Sequence, residues 1–231
     1  MRTLFFCTAW CISQQNMDAR CGKWYAYHRR ILDRAGLLSG VEIAMIADGI
    51  PRSRAKWPDG DYIGVNLFPH LGRGGRGPSW LDREEEAAIY HGSTGRYPGW
   101  WRSMETAAHL ARVYDCERMI HVESDNYLLS RRSIDVLFNA PEGWMAPNSR
   151  TYGFRDSAVQ AIVGWQWVAE LERVAKHHRE TNELAELAIP WTGTLPLVGG
   201  REFEKGIPPR PEDDYMGQCP DEYQPVFEGD R

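Results

Sequence analysis

The amino-acid sequence predicts an α/β fold, a mixed and mainly parallel sheet flanked by helices. Strand candidates and helical periodicities alternate along the chain, as in layered α/β architectures. A length of 231 residues with 42% apolar content suffices for a substantial core. A helix and strand near the middle deliver an acidic triplet to a strand's carboxyl end, where open α/β sheets place their ligands.

The first strand candidate, Thr3 to Trp10, is rich in Leu, Phe and other aromatic residues. A polar loop leads into Lys23 to Ala35, where Trp24, Tyr27, His28, Ile31 and Leu32 recur at helical spacing and Gly36 supplies a stop. Val41 to Ala47 reads as a second strand closed by the Asp48-Gly49 turn, and Tyr62 to Phe68 as a third. The stretch LGRGGRGPSW, Leu71 to Trp80, matches neither the dinucleotide fingerprint nor a P-loop. It reads as a surface loop or a cover over substrate, with Arg73 and Arg76 available to an anion.

After a turn at Tyr97-Pro-Gly-Trp-Trp, the residues Met104, Ala107, Ala108, Ala111 and Val113 mark a helix from Ser103, its cap, to Tyr114. That helix feeds a short strand, Met119 to Val122. Ser133 to Phe138 begins another helix, and Gly143 to Pro147 reads as a strand. Ala158 to His177 is the clearest helix, with an apolar stripe of Ala161, Trp165, Val168, Leu171 and Ala175. Glu180, Glu183 and Glu186 extend a charged helical face. Residues 1–189 form the main unit, and the proline-dense residues 190–231 wrap the same domain or close over a substrate.

A formal charge of -5 argues against polymeric nucleic acid as a partner, since backbone binding calls for a basic surface. No run approaches the roughly 18 apolar residues of a membrane span. The polar QQNMDAR directly after the first strand is unlike a secretory signal, so the expectation is a cytoplasmic protein. Five cysteines without paired spacing read as reduced structural thiols.

The segment His121 to Asn126, HVESDN, carries the most specific chemistry. Glu123 and Asp125 return to the same face when separated by one strand position, and so can reach one hard cation. Ionised together they repel unless solvated or metal-bound. Oxygen ligands favour Mg²⁺ or Mn²⁺ over zinc. Taken alone, the triplet is equally the solvated end of a strand before a turn, and His121 reads as packing.

With that triplet preceded by SMETAAHLARVYDCERMIHV, the chain resembles the GT-A class of nucleotide-sugar glycosyltransferases over roughly Thr3 to Trp165. In that class a helix and strand deliver an acidic DxD motif, here varied to Glu123-Ser124-Asp125. The resemblance implies a Rossmann-like sheet and a divalent cation, Mn²⁺ or Mg²⁺, held by Glu123 and Asp125 against a donor diphosphate. Asp125 would bind directly and the longer Glu123 through water. It also implies that Thr8 and Asp48 cradle the donor nucleotide, and that Arg102, with Arg20 as a weaker candidate, contacts phosphate. The expected partners are a nucleotide-sugar donor and a glycan or other sugar acceptor.

An inverting transfer needs a base, for which Asp156, Asp213 and Asp214 are the candidates. A retaining route stays open. Trp100, Trp101, Trp144, Tyr152 and Trp191 lie beside turns and are candidates for stacking on an acceptor sugar. Two other readings compete. A sugar nucleotidyltransferase would carry a glycine-rich basic loop after its first strand, where this chain has CISQQNMDARCGK. A noncatalytic carbohydrate-binding protein would tolerate loss of either acid.

Overall fold

The computed structural model describes residues 1–11, 13–48, 56–57, 59–67, 98–178 and 184–228. Gly49, Phe68, the loop 71–80 with Arg73 and Arg76, Tyr97, and the acids Glu180 and Glu183 lie outside them.

A parallel core builds first. β1 (Thr3–Trp10) pairs in parallel with β2 (Val41–Asp48) on one side and β4 (Arg118–Val122) on the other, and β2 pairs with β3 (Ile63–Leu67). The full order is β3-β2-β1-β4-β7-β6-β8, with β6 (Gly143–Pro147), β7 (Val159–Val163) and β8 (Gly193–Leu195). Only β7 runs against its neighbours in this sheet. The mixed, mainly parallel sheet expected from the sequence is therefore present.

Alternation along β1 divides the core between two faces. Phe5 and Cys7 pack with Trp24, Ile31 and Leu32 of α2 (Lys23–Arg34) and with Ile134 and Leu137 of α4 (Arg131–Phe138). Leu4 and Phe6 face Met104 and Ala108 of α3 (Pro98–Val113) and Val168 and Leu171 of α5 (Trp165–His178). All five cysteines are free and buried. Among the described residues no helix is long and apolar enough to cross a membrane.

Four local readings are corrected. The polar loop before α2 contains α1 (Gln14–Met17), capped by Ser13, and a π-helical turn at Asp18–Gly22 that runs on into α2. α3 starts at Pro98, so the Pro-Gly-Trp-Trp stretch is helix. Ser103 lies inside it, its hydroxyl donating to Gly99 O at 2.9 Å. The run Ala158 to His177 is not one helix, because Val159–Val163 is strand β7 and the chain turns at Gly164, φ +100°, before α5. Glu186 does not extend α5's charged face: it sits on a separate short helix, α6 (Ala185–Ala188).

The segment after Pro190 supplies β8 to the main sheet. It also forms β9 (Gly199–Gly200) and β10 (Tyr215–Met216), which join β5 (Tyr127–Leu128) in a small second sheet. Gly199 is required there, because a Cβ would lie 2.2 Å from the carbonyl oxygen of Tyr215.

Candidate active site

Strand order reverses at β1, which makes the carboxyl ends of β1 and β4 the switch point of the sheet. Ser124 N–H donates to Thr8 O at 3.2 Å, tying the turn after β4 to the end of β1. A cavity of about 560 Å³ opens over that edge. Thr8, Asp48, Glu123 and Asp125 all line it, together with Trp100 and Tyr152.

The acidic turn is gripped by the C-terminal segment. Cys219 N–H donates to Asp125 O at 2.9 Å, and Gln218 N–H to Asn126 Oδ1 at 3.1 Å. Trp100 Nε1–H donates to Glu123 Oε1 at 2.9 Å, which gives this tryptophan a polar task beside its packing. Burial, opposed in part by Arg201 and reinforced by Asp125, pushes the Glu123 carboxyl from 4.5 up to about 8. Burial also raises Asp125, against the pull of Arg20 and Arg201. At both acids burial thus outweighs the nearby arginines.

Arg201, which no local sequence pattern marks, is the hub of the opposite wall. Its Nε and Nη2 donate to Asp156 Oδ1 at 3.1 and 3.0 Å, and Nη2 lies 3.4 Å from Glu186 Oε1. Burial works against its charge, but Asp156, Glu123 and Glu186 outweigh it and hold its pKa above the usual arginine value. Arg20 also lines the cleft, its Nε 3.5 Å from Asp221 Oδ1.

Other candidates are placed elsewhere. Asp156 is fully buried behind Arg201, and its second oxygen accepts from Tyr215 OH at 3.3 Å. Asp213 pairs with Arg150 at 2.7 Å, and Asp214 accepts from Ser130 at 2.6 Å and from Arg132; neither lines the cleft. Arg102 holds Asp48 at 2.7 Å, and Gly99 permits that approach, since a Cβ there would lie 2.5 Å from Asp48 Oδ2. Trp101 and Trp144 are fully buried, and Trp191 packs edge-on against Trp144. Tyr152 is 43% exposed at the cleft wall, parallel to Phe154 at 5.4 Å, a partner that sequence reasoning missed.

His121 is packing, as its position suggested. It is fully buried, bonded through Nε2 to Thr8 Oγ1 at 3.0 Å, and burial lowers its pKa to about 3.

Glu123 and Asp125 lie not on β4 itself, as strand alternation suggests, but in the turn after it, closed by Asn126 N–H donating to Glu123 O at 2.9 Å. Lining one cavity, they are oxygen ligands of the kind Mg²⁺ or Mn²⁺ takes together with phosphate and water. They do not fit an all-protein cage, for among the described residues no group of three or more His, Cys, Asp and Glu side chains is arranged to hold an ion.

No protein-family model and no curated protein sequence matches the chain. Among solved structures, the fold is similar to that of the galactosyltransferase LgtC, solved in complex with donor and acceptor sugar analogs. The TM-score is 0.50 and the identity 10%, over 95% of this chain and 87% of that one. Sheet order and this likeness define a Rossmann-like, GT-A-type fold.

Proposed function

We propose that the chain is a metal-dependent glycosyltransferase, moving a sugar from a nucleotide-sugar donor to a carbohydrate acceptor. The observation that carries this reading is the placement of Glu123 and Asp125 in the turn directly after β4, both lining the switch-point cleft. Burial raises both carboxyls, so a divalent cation is favoured there by the charge it supplies.

When bound, such an ion would neutralise charge on the departing nucleotide. Asp125 would hold it directly, with Glu123, already oriented by Trp100 Nε1–H, as the second ligand. Arg20, on the π-helical turn after β1, would add positive charge for the diphosphate. Thr8 and Asp48, at the ends of β1 and β2, would meet the nucleoside. Trp100 and Tyr152 are the acceptor-stacking residues that reach the cleft. Of the segment 190–231, the described residues 190–228 would belong to the same catalytic unit, because Arg201 and Gln218 come from them to the cavity wall. The reading includes a cytoplasmic setting, in keeping with five free thiols.

The test is nucleotide release from UDP-, GDP- and CMP-sugars with Mn²⁺. One donor class should turn over, and Asp125→Ala should abolish the signal. An active Asp125→Ala variant would remove the assigned metal role.

A further inference from the structure

The acids nominated from sequence as the base are engaged or remote, whereas a different carboxylate on the cleft wall has an oxygen to offer. Glu186 lines the cavity from α6 with its side chain 14% exposed. Its Oε1 accepts from Ser157 Oγ–H at 2.7 Å and lies 3.4 Å from Arg201 Nη2. Its Oε2 receives no hydrogen bond among the described residues. Of the other cleft acids, Asp48 is held by Arg102, Glu123 by Trp100 and Glu204 by Tyr152, and Asp125 is the residue assigned to the cation.

Arg201 links Glu186 to the acidic turn, since its guanidinium lies 3.4 Å from Glu186 Oε1 and is held charged by Asp156, Glu123 and Glu186 together. Ser157 is anchored in turn by its backbone, whose carbonyl meets His121 Nδ1 at 3.2 Å and accepts from Gln160 Nε2–H. One oxygen of Glu186 is thus fixed by a rigid neighbour and the other is left for a ligand, the geometry a general base requires.

We infer that Glu186 is the general base of the transfer, an inference that rests on the transferase reading above. An acceptor hydroxyl, or water in its absence, gives its proton to Glu186 Oε2 as its oxygen forms the bond to the anomeric carbon. The anomeric C–O bond to the donor's phosphate breaks, and its electron pair leaves with the nucleotide. This single displacement inverts the anomeric centre. Ser157 and Arg201 are positioning residues that set the orientation of Glu186.

The experiment uses the full chain with Mn²⁺ and water as acceptor. Binding of UDP-, GDP- and CMP-sugars is measured by calorimetry, nucleotide release by a coupled assay, and the first-formed anomer of the freed sugar by NMR. Glu186→Gln, which preserves size and the Ser157 contact, should bind the donor within about threefold of wild type yet release nucleotide about 10²-fold or more slowly. Glu186→Asp should recover part of that loss, and the freed sugar should be inverted. Glu186→Gln turnover near the wild-type rate, lost donor binding in that variant, or retention at the anomeric carbon each overturns the assignment alone. A wild-type chain that binds no donor overturns the transferase reading and this inference with it.

Discussion

Replacing Arg201 with methionine removes the cation that faces a fully buried carboxylate. Asp156 is 0% exposed, and its Oδ1 takes two N–H donors from Arg201. Losing one partner of a buried pair strands the other charge, at about 3–5 kcal/mol. Glu186 lines the cleft and keeps its Ser157 donor, and Glu123 keeps its Trp100 donor, so Asp156 dominates the cost. At about 2–4 °C per kcal/mol for a chain of this size, the melting temperature should fall by roughly 6–20 °C. The assay is urea and thermal unfolding of wild type, Arg201→Met, Asp156→Asn and the double variant. An asparagine keeps Oδ1 as the acceptor for Ala158 N–H and turns its Nδ2–H toward the Tyr215 hydroxyl, which can accept, without the stranded charge, so the double variant should regain at least half of the loss. A single-variant loss under about 1 kcal/mol, or no recovery in the double variant, refutes this account of the hub.

Three further outcomes follow from the same geometry. Because burial raises Glu123 from 4.5 to about 8, its contribution to stability is complete below pH 4.5 and is lost as pH rises through about 8. In EDTA the melting temperature of wild type relative to Glu123→Gln should therefore fall across that window, and Mn²⁺ should stabilise wild type more near pH 8 than near pH 6; a flat difference contradicts the burial argument. Gly199→Ala sets a Cβ 2.2 Å from the Tyr215 backbone oxygen, so unfolding should show a loss of about 1–3 kcal/mol and β9 and β10 should exchange amide protons faster. Gly99→Ala crowds Asp48 Oδ2 at 2.5 Å, the end of a side chain, and should cost less than Gly199→Ala; if the clash is the cause, its cost should shrink in an Asp48→Ala background, read by a double-mutant cycle.

Strands β1 and β6 and the apolar face of α2 were legible because local periodicity and burial agree there. β7 reads as helix because its apolar residues Val159, Ala161, Ile162 and Val163 run on into those of α5. The signals that separate them are β-branched Val159, Ile162 and Val163 and the break at Gly164. α3 was begun late because Trp100 and Trp101 looked like turn residues, although Pro98 is a favoured first helical residue. β8, β9 and β10 have three residues or fewer and hold no readable period.

At the site, the acidic pair's place after β4 is legible from the helix and strand that precede it, whereas the strand alternation expected of it is not found, because residues 123–126 turn. The opposite wall was not legible, since Arg201 meets Asp156 across 45 residues and Glu186 meets Ser157 across 29, distances at which no periodicity operates. Glu186 was grouped with Glu180 and Glu183 by its charge. What distinguishes it is a helix of its own and a neighbouring serine brought in by β7's turn.

The central claim, that Glu123 and Asp125 hold a cation against a sugar nucleotide, is tested most directly by calorimetric titration of the chain with UDP-, GDP- and CMP-sugars, each with Mn²⁺ and with EDTA. One donor class should bind with Mn²⁺ alone, and Asp125→Ala should lose that binding while keeping its fold. Binding of equal strength in EDTA, or undiminished in Asp125→Ala, would contradict it.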